Sequence, residues 1–217
     1  MKIHRFIGRP EDPEITKQIH KVLKLIPGEQ VIFGDGNGHD TLYEITDGGF
    51  EAIKTLEPVG ADRKVHLYLA ILKKENFELA VQKAVECGVT SITPVITERT
   101  IKTGLNVARL NKIIKEATEQ SGRSFLPVLS PILNFSPALA FGSAAEEKII
   151  FHPGHIIYSP KKTAKSVSIF VGPEGGFTER EIDEARTGLY VGASLGDLTL
   201  RGETAAIVGT YLAVNSL

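Results

Sequence analysis

From about Arg63 onward, apolar runs alternate with segments of helical spacing, and this alternation limits the possible folds more than any other feature. The apolar runs have the length and composition of buried strands, and they read KVHLYLAIL, VTSITPVIT, KIIFH, SVSIFVG and a short last run, ASLG. The segments predicted as helices read ENFELAVQKAVECG, NVARLNKIIKEATEQSG, TEREIDEARTG and ETAAIVGTYLAVN. Such a pattern predicts a mostly parallel sheet with helices on both faces.

The first part of the chain has the pattern of a small β-barrel, joined to the rest by a linker at residues 57–64. A helix is predicted over residues 13–25, with Pro13 near its start. Strands are predicted at residues 2–6, 30–35, 41–46 and 50–57. The DGNG sequence after the second strand indicates a hairpin, because Asn-Gly tolerates the positive φ values of a tight turn.

Charge and cysteine content exclude some classes of protein and indicate a compartment. The formal net charge is −1, so no global positive field predicts a nucleic-acid partner. Cys87 is the only cysteine, which excludes an intrachain disulfide and fits a reducing compartment. No signal peptide, no membrane-length apolar run and no His/Cys cluster with metal-ligand spacing is visible. We therefore expect a cytoplasmic protein that binds neither a membrane nor a metal.

Three loops are the candidate ligand-binding segments, because ligands bind beyond the carboxyl ends of strands in open α/β sheets. They read FHPG, GPEGGF and LGDLTLRGET. The glycines of GPEGGF would let the backbone approach a ligand closely, whereas Glu174 within it would repel a phosphate. No phosphate-loop or dinucleotide-binding pattern occurs. The sequence therefore favours a neutral or cationic ligand.

Two predicted helix starts lie beside these loops. Thr178 and Glu181 have the spacing of a capping box, which is a sufficient structural account of both. Glu203 lies in the first turn of the last helix, where the helix dipole favours a carboxylate. Arg201 has no such account, because a cation is disfavoured at that end. It either forms an ion pair with Glu203 or Glu174, or contacts a substrate.

Other polar residues allow a structural and a functional interpretation. Glu98 and Arg99 lie at a strand end, where an ion pair between them would be ordinary. Arg123 follows a helix end, where a cation is favoured, and His152 is either a loop histidine or a catalyst. Cys87 is expected to pack on the apolar face of its helix. If basic side chains converge on one face, they could follow a phosphate backbone.

Several of these segments resemble, in the same order, the sequence blocks of the RsmE family of ribosomal RNA methyltransferases. FVGPEGGFTEREI and LGDLTLRGETA are similar to its two C-terminal signatures. QKAVECGVTSITPVITERT, EQSGR and HKVLKLIPGEQVIFGDGNG are similar to its upstream blocks, so the resemblance covers nearly the whole chain. Leu198 stands where the family usually has a basic residue, and Lys24 stands where arginine is usual.

This resemblance implies a two-domain α/β fold. Residues 1–68 would form a PUA-like, RNA-binding β-barrel domain. Residues 69–217 would form a SPOUT methyltransferase domain, whose mostly parallel sheet carries helices on both faces and a C-terminal trefoil knot. The three loops would be the knot loops, and similar enzymes work as homodimers.

The resemblance also implies the activity and the ligands. Members of the family use S-adenosyl-L-methionine to methylate N3 of one uridine in 16S ribosomal RNA, so a small ribosomal subunit is the expected partner. Arg201 would stabilise the developing uracil anion. Glu174 and Glu203 are candidates for the general base, unless the N3 proton is lost to water.

The site residues that follow from these signatures fall into three groups. The catalytic candidates are Arg201, Glu203 and Glu174. The cofactor-binding candidates are His152, Pro153, Val171, Gly172, Pro173, Glu174, Gly175, Gly176, Leu195, Gly196, Leu200 and Thr204. The RNA-binding candidates are Arg5, Arg9, Lys24, Arg99 and Arg123.

Three other functions stay open at this point. The chain could be a SPOUT methyltransferase that modifies another RNA or another base atom. It could be a non-catalytic RNA-binding or ribosome-assembly factor, although retention of Arg201 and both glycine-rich segments argues against this. It could be a nucleotide-binding α/β enzyme unrelated to RNA, against which the missing phosphate-binding patterns argue.

Overall fold

The computed structural model describes residues 3–215 and divides the chain into two units. Unit 1 contains Met1–Gly60 and Lys115–Leu126, and unit 2 contains Ala61–Ile114 and Pro127–Leu217. Met1, Lys2, Ser216 and Leu217 lie outside the described residues. They include the first residue of the strand predicted at residues 2–6 and the outer ends of the domains predicted at residues 1–68 and 69–217.

A four-stranded sheet forms the framework of unit 1. Its strands are β1 (His4–Ile7), β2 (Gln30–Gly34), β3 (Asp40–Thr46) and β4 (Gly49–Leu56), which neighbour one another in that order. β1 pairs parallel with β2, whereas the β2–β3 and β3–β4 pairs are antiparallel. The antiparallel β2–β3 pair confirms the hairpin predicted at DGNG, where Gly36 and Gly38 have φ values of 76° and 102°.

The helical segment of unit 1 is shorter than predicted. It consists of α1 (Pro13–Lys17) and a π-helical turn (Gln18–Val22). Asp12 caps its start by accepting a hydrogen bond from the Glu14 amide over 2.9 Å. The prediction that the helix reaches residue 25 is wrong, because Lys24 has a φ of 55°, which a right-handed helix does not contain. The buried core of the unit comprises Phe6, Ile15, Ile19, Val31, Phe33 and Ile45.

Unit 2 contains a seven-stranded sheet in which every described pair is parallel. Its strands are β5 (Lys64–Ala70), β6 (Ser91–Ile96), β7 (Val128–Leu129), β8 (Leu133–Asn134), β9 (Glu147–Phe151), β10 (Ser166–Val171) and β11 (Val191–Ala193). The order is β11-β9-β10-β5-β6-β7, with β8 also paired to β6. The predicted parallel sheet is thus confirmed.

The described part of the chain contains five further helices. They are α2 (Lys74–Glu86), α3 (Val107–Ser121), α4 (Phe135–Gly142), α5 (Glu179–Thr187) and α6 (Gly202–Val214), of which α3 begins in unit 2 and ends in unit 1. Three elements have no predicted counterpart: β7 and β8 are too short to show a period, and α4 carries no charge pattern. The last strand, expected over ASLG, instead ends at Ala193, the first residue of that run.

Helices cover both faces of the parallel sheet. Ile150 and Phe151 are consecutive in β9, so their side chains point to opposite faces. Ile150 is buried on the face that contacts α4 and α5, in one cluster with Tyr68 and Phe170. Phe151 faces α6, because a Cβ on Gly209 would lie 2.6 Å from its ring. The predicted placement of helices on both faces is confirmed.

A buried ion pair closes the amino end of this sheet. Arg63, just before β5, pairs with Glu147 at the start of β9, and both side chains are under one-tenth exposed. The same guanidinium donates to the carbonyl of Ala213, in the last turn of α6, over 3.0 Å, and to that of Lys161 over 2.9 Å. Arg63 therefore satisfies one carbonyl group that the end of α6 would leave unpaired, and a second one in a loop.

We expect Gly209→Ala to destabilise the protein, although alanine is the better helix former by about 1 kcal/mol. The added methyl group would overlap the Phe151 ring, and such overpacking typically costs about 1–3 kcal/mol. Urea unfolding followed by circular dichroism measures the change. Tyr211→Ala, an exposed position on the same helix, is the control. A more stable Gly209→Ala protein would contradict the packing of α6 on β9.

Candidate functional site

A pocket of about 700 Å³ lies in unit 2 at the carboxyl ends of the parallel strands. Phe151 and Val171, the last residues of β9 and β10, form part of its lining. Its lining also includes Ser194, directly after β11, Lys73, three residues after β5, and Arg99, three residues after β6. The location agrees with the general position of ligand sites in parallel sheets.

The glycine-rich segment after β10 forms one wall of the pocket. The amide of Gly176 donates to the carbonyl of Pro173 over 2.8 Å and closes a tight turn. Gly176 has a φ of 69°, a conformation that residues with a Cβ rarely adopt. A Cβ on Gly175 would lie 3.3 Å from side-chain carbons of Arg99. These two glycines are therefore needed for the turn and for a close contact.

The capping box at the start of α5 is confirmed. The Glu181 amide donates to Thr178 Oγ1 over 3.3 Å, and the Thr178 amide donates to Glu181 Oε2 over 2.9 Å. Glu181 is 3% exposed, and its second oxygen, Oε1, accepts a hydrogen bond from the Glu98 amide over 2.9 Å. A single carboxylate thus joins the start of α5 to the loop after β6.

Glu174, at the tip of the glycine-rich segment, is bound to the neighbouring loop. Its Oε1 accepts a hydrogen bond from the backbone amide of Lys73 over 3.1 Å. Lys73 is the N-cap residue of α2 and has no side-chain cap of its own. The Glu174 carboxylate therefore satisfies an amide beside the start of α2 and joins the loops after β5 and β10.

The start of α6 forms the opposite wall. A Cβ on Gly202 would lie 2.8 Å from Leu72 and 3.4 Å from the carbonyl oxygen of Gly172. This close approach puts Arg201 and Glu203 on the pocket lining. Arg201 is exposed, and neither of the ion pairs considered for it, with Glu174 or Glu203, is found within 4.0 Å among residues 3–215.

Glu203 is the most unusual side chain of the pocket. It is 8% exposed, and its Oε2 accepts no hydrogen bond from any residue that the structure describes. Leaving a buried acceptor unpaired costs about 1–3 kcal/mol, and more for a charged group. The amino end of α6 offsets part of this cost, since a helix N-terminus attracts negative charge. A buried carboxylate oxygen without a partner in a pocket indicates a functional group.

The third wall comes from the loop after β9. The amide of His152 donates to the carbonyl of Ala193, and that of Ser194 donates to Ile156, over 2.9 and 2.7 Å. These bonds place His152 and Pro153 beside the segment that follows β11. His152 Nδ1 lies 2.8 Å from the carbonyl oxygen of its neighbour Pro153. This contact is ordinary for a loop histidine.

Residues 60–213 match the sequence model of the RNA methyltransferase domain family, which is more than half of the chain. The chain belongs to this family. The matched range takes in all three walls of the pocket.

Curated relatives carry the name ribosomal RNA small subunit methyltransferase E. The chain is 30% identical over 210 residues to that of Synechocystis, covering 89% of this chain and 69% of the relative. It is 33% identical over 150 residues to that of Mesomycoplasma hyopneumoniae, covering 66% of each protein. These matches confirm the family that the sequence blocks resemble.

A solved structure of the same kind of protein is also similar. It is the ribosomal RNA small subunit methyltransferase E of Neisseria gonorrhoeae bound to S-adenosyl methionine, with a TM-score of 0.83 and 28% identity. The match covers 96% of this chain and 95% of that one. The α/β architecture of this RNA methyltransferase is therefore shared over nearly the whole chain.

The pocket of this RNA methyltransferase brings together most of the predicted site residues. All three catalytic candidates line it, as does the RNA-binding candidate Arg99. The cofactor-binding candidates on the lining are His152, Pro153, Val171, Gly172, Pro173, Glu174, Gly175, Gly176, Leu195, Gly196 and Leu200. Thr204 is the exception, because it does not line the pocket although its neighbours Glu203 and Ala205 do.

Several lining residues lie outside the predicted set. They are Lys73, Asn76, Phe151, Phe177, Ser194, Leu198, Thr199, Gly202 and Ala205. Lys73 and Asn76 follow the carboxyl end of β5, so the strand-end rule applied to this strand would have found them. Phe151 and Phe177 adjoin predicted segments but have no polar group to mark them.

The RNA-binding candidates of unit 1 differ in exposure. Arg9 and Lys24 are exposed. Arg5 forms an ion pair with the fully buried Asp40, and its side chain is 7% exposed. Arg123 is 8% exposed, and burial lowers the pKa of its guanidinium to about 10. An RNA contact through either of these two arginines would require it to become more exposed.

Residues 3–215 contain neither a candidate metal-ion site nor a membrane-length helix. No group of three or more His, Cys, Asp or Glu side chains there could hold a metal ion. No helix in this range is long and apolar enough to cross a membrane.

We expect Thr178→Ala to lower the free energy of unfolding by about 1 kcal/mol, the usual cost of losing an N-cap side chain. The matched control is Thr187→Ala, which removes an exposed hydroxyl bonded to the Asp183 carbonyl within the same helix. Its effect should stay within about 0.5 kcal/mol. Urea unfolding compares the two, and equal effects would contradict the capping role.

Proposed function

We propose that the chain transfers a methyl group from S-adenosyl-L-methionine to N3 of a uridine in 16S ribosomal RNA. Membership of the RNA methyltransferase domain family supports the reaction class, and the relatives named small subunit methyltransferase E support the substrate. The observation that carries the proposal is the unpaired carboxylate oxygen of Glu203 in a pocket walled by glycine-rich backbone.

The pocket fits the methyl donor in size and charge. Its volume of about 700 Å³ is in the range of small-molecule sites, which is about 300–1,000 Å³. Two carboxylates on the lining, Glu174 and Glu203, suit a sulfonium cation and disfavour a phosphate. The backbone of residues 172–176 and 195–200 would hold the adenine and ribose, because missing Cβ atoms leave amide edges accessible. When bound, this donor supplies a methyl group that is already activated toward a nucleophile.

Arg201 is proposed to stabilise the uracil anion that forms when N3 loses its proton. The side chain is exposed at the pocket wall and forms no ion pair with a carboxylate among the described residues. Its charge is therefore available to a substrate oxygen. The amino end of α6 adds positive potential at the same place. Charge stabilisation of this kind typically contributes about 10²–10³ in rate.

Glu203 is proposed as the general base in preference to Glu174. The Glu174 carboxylate already accepts a hydrogen bond from the Lys73 amide, whereas Glu203 Oε2 has no described partner. Glu203 can take the N3 proton on an oxygen that accepts no other hydrogen bond. Glu174 would have to give up its hydrogen bond to Lys73, which joins two loops. Glu203→Gln distinguishes this route from the alternative in which the N3 proton is lost to water.

The proposal includes the wider assembly that the sequence blocks imply. The enzyme would work in the cytoplasm as a homodimer on a small ribosomal subunit, with a PUA-like barrel at residues 1–68 and a knotted SPOUT domain at residues 69–217. Arg9, Lys24 and Arg99 are exposed and are its first candidates for RNA contact, followed by Arg5 and Arg123. A paired or stacked uridine must be presented to the pocket, which favours recognition of an assembled particle.

Transfer of tritiated methyl groups to small subunits that lack the modification tests this function. The expected product is N3-methyluridine in 16S ribosomal RNA, identified by nucleoside analysis. Methylation of another nucleotide or base atom would select a different target. Binding of subunits without donor binding or methyl transfer would select an assembly factor.

Arg201→Ala should lower kcat by about 10²–10³ while the donor affinity changes little. Its matched control is Arg186→Ala, an exposed arginine of α5 that pairs with Asp183 outside the pocket. Steady-state methyl transfer and calorimetry of donor binding are the two measurements. Unchanged turnover would rule out the role of Arg201.

Glu203→Gln should lower kcat in steady-state methyl transfer by about 10²–10⁴, the usual contribution of a general base. Glu174→Gln tests the other candidate, and Glu179→Gln is the control, because Glu179 lies in the first turn of α5 outside the pocket. If Glu174→Gln alone abolishes turnover, Glu174 is the base. If both variants stay active, the proton leaves to water.

A further inference from the structure

Two consecutive residues after β6 bind the segment that follows β10. Arg99 Nη1 donates to the carbonyl oxygens of Gly175 and Phe177 over 2.7 and 3.3 Å. The Glu98 amide donates to Glu181 Oε1 over 2.9 Å. We call these five residues the clasp. It connects the loop after β6 to the end of the turn that forms a pocket wall and to the start of α5.

The close fit between Arg99 and Gly175 shows which side of the turn the arginine occupies. A Cβ on Gly175 would lie 3.3 Å from both Cβ and Cδ of Arg99, so the aliphatic stem packs where a side chain would be. Gly176, one residue later, has open space at its Cβ position and is a glycine for its φ of 69°. The absence of a side chain at Gly175 is thus explained by Arg99.

Arg99 does not form the ion pair with Glu98 that their adjacent positions suggested. Glu98 pairs instead with Arg180, over 3.7 Å, and the side chains of the pair are 47% and 84% exposed. The guanidinium of Arg99 is therefore directed at backbone carbonyls. A carbonyl group that accepts a charge-assisted hydrogen bond loses rotational freedom. Because the carbonyl and the next residue's amide share one peptide plane, the direction of that amide is fixed as well.

We propose that Arg99 is a positioning residue for the methyl donor. By holding the carbonyls of Gly175 and Phe177, it fixes the peptide planes of the glycine-rich wall before the donor arrives. Preorganisation of this kind raises affinity because the ordering cost is met during folding. The inference rests on the proposed function, since it assumes that this wall binds S-adenosylmethionine.

Calorimetry of S-adenosylmethionine binding, without RNA, separates this role from RNA recognition. Arg99→Ala should raise the Kd about tenfold, the loss expected for one charge-assisted hydrogen bond. Arg99→Lys keeps the charge without the planar fork and should fall between Arg99→Ala and wild type. Arg180→Ala is the matched control, because it removes a nearby exposed arginine outside the pocket, and it should change the Kd less than twofold.

Two further readouts distinguish positioning from a general loss of fold. In methyl transfer by Arg99→Ala, the KM for the donor should rise about tenfold while kcat at saturating donor stays within about threefold. Hydrogen exchange of the amides of residues 174–177 should accelerate, with the strands of the sheet unchanged. If Arg99→Ala does not fold, Arg99→Lys carries the same comparison.

Three other results would overturn the proposed role of Arg99. An unchanged Kd for the donor together with a raised KM for small subunits would make Arg99 an RNA contact and overturn the inference. An unchanged Kd with normal turnover would overturn it as well. If the wild-type protein itself does not bind S-adenosylmethionine, the proposed function fails first, and the inference fails with it.

Discussion

The close approach of α6 to the loops after β5 and β10 is the contact on which the pocket depends. Only a residue without a side chain fits at Gly202, which lies against Leu72 and the Gly172 carbonyl. Because the helix begins there, its first-turn amides and Glu203 face the same space as the glycine-rich segment. The glycine at the start of α6 thus allows the helix to lie close enough to form the second wall of the pocket.

The sequence predicted the parallel sheet and most of the pocket because both leave local marks. Buried strands read as apolar runs, and the turns at their carboxyl ends need glycine. Lys73 and Asn76 have no glycine-rich turn beside them, so only their position after the carboxyl end of β5 marks them. The partners of Arg5 and Arg99 are distant in sequence, at Asp40 and Gly175, so spacing alone could not assign them.

Glu174 and Glu203 show what the structure adds to a motif. Both are acidic residues next to a glycine in candidate ligand-binding segments, and both are candidates for the general base. In the structure the Glu174 carboxylate accepts a hydrogen bond from the Lys73 amide beside the start of α2. The Glu203 carboxylate is buried, and its Oε2 has no hydrogen-bond partner among the described residues. The difference lies in the partners, and it separates a residue that shapes the pocket from one that is proposed to act in it.

The Arg63–Glu147 pair at the amino end of the sheet has a consequence for how variants of this protein would fail. It is at the opposite end of the strands from the pocket, and its loss would strand a buried charge. Damage there would reduce the amount of folded protein in a cell while each surviving molecule kept its turnover. At the carboxyl ends the outcome depends on the residue. Variants of Thr178 or Gly209 would lower abundance as well, whereas variants of Arg201, exposed on the pocket lining, are expected to lower catalytic rate.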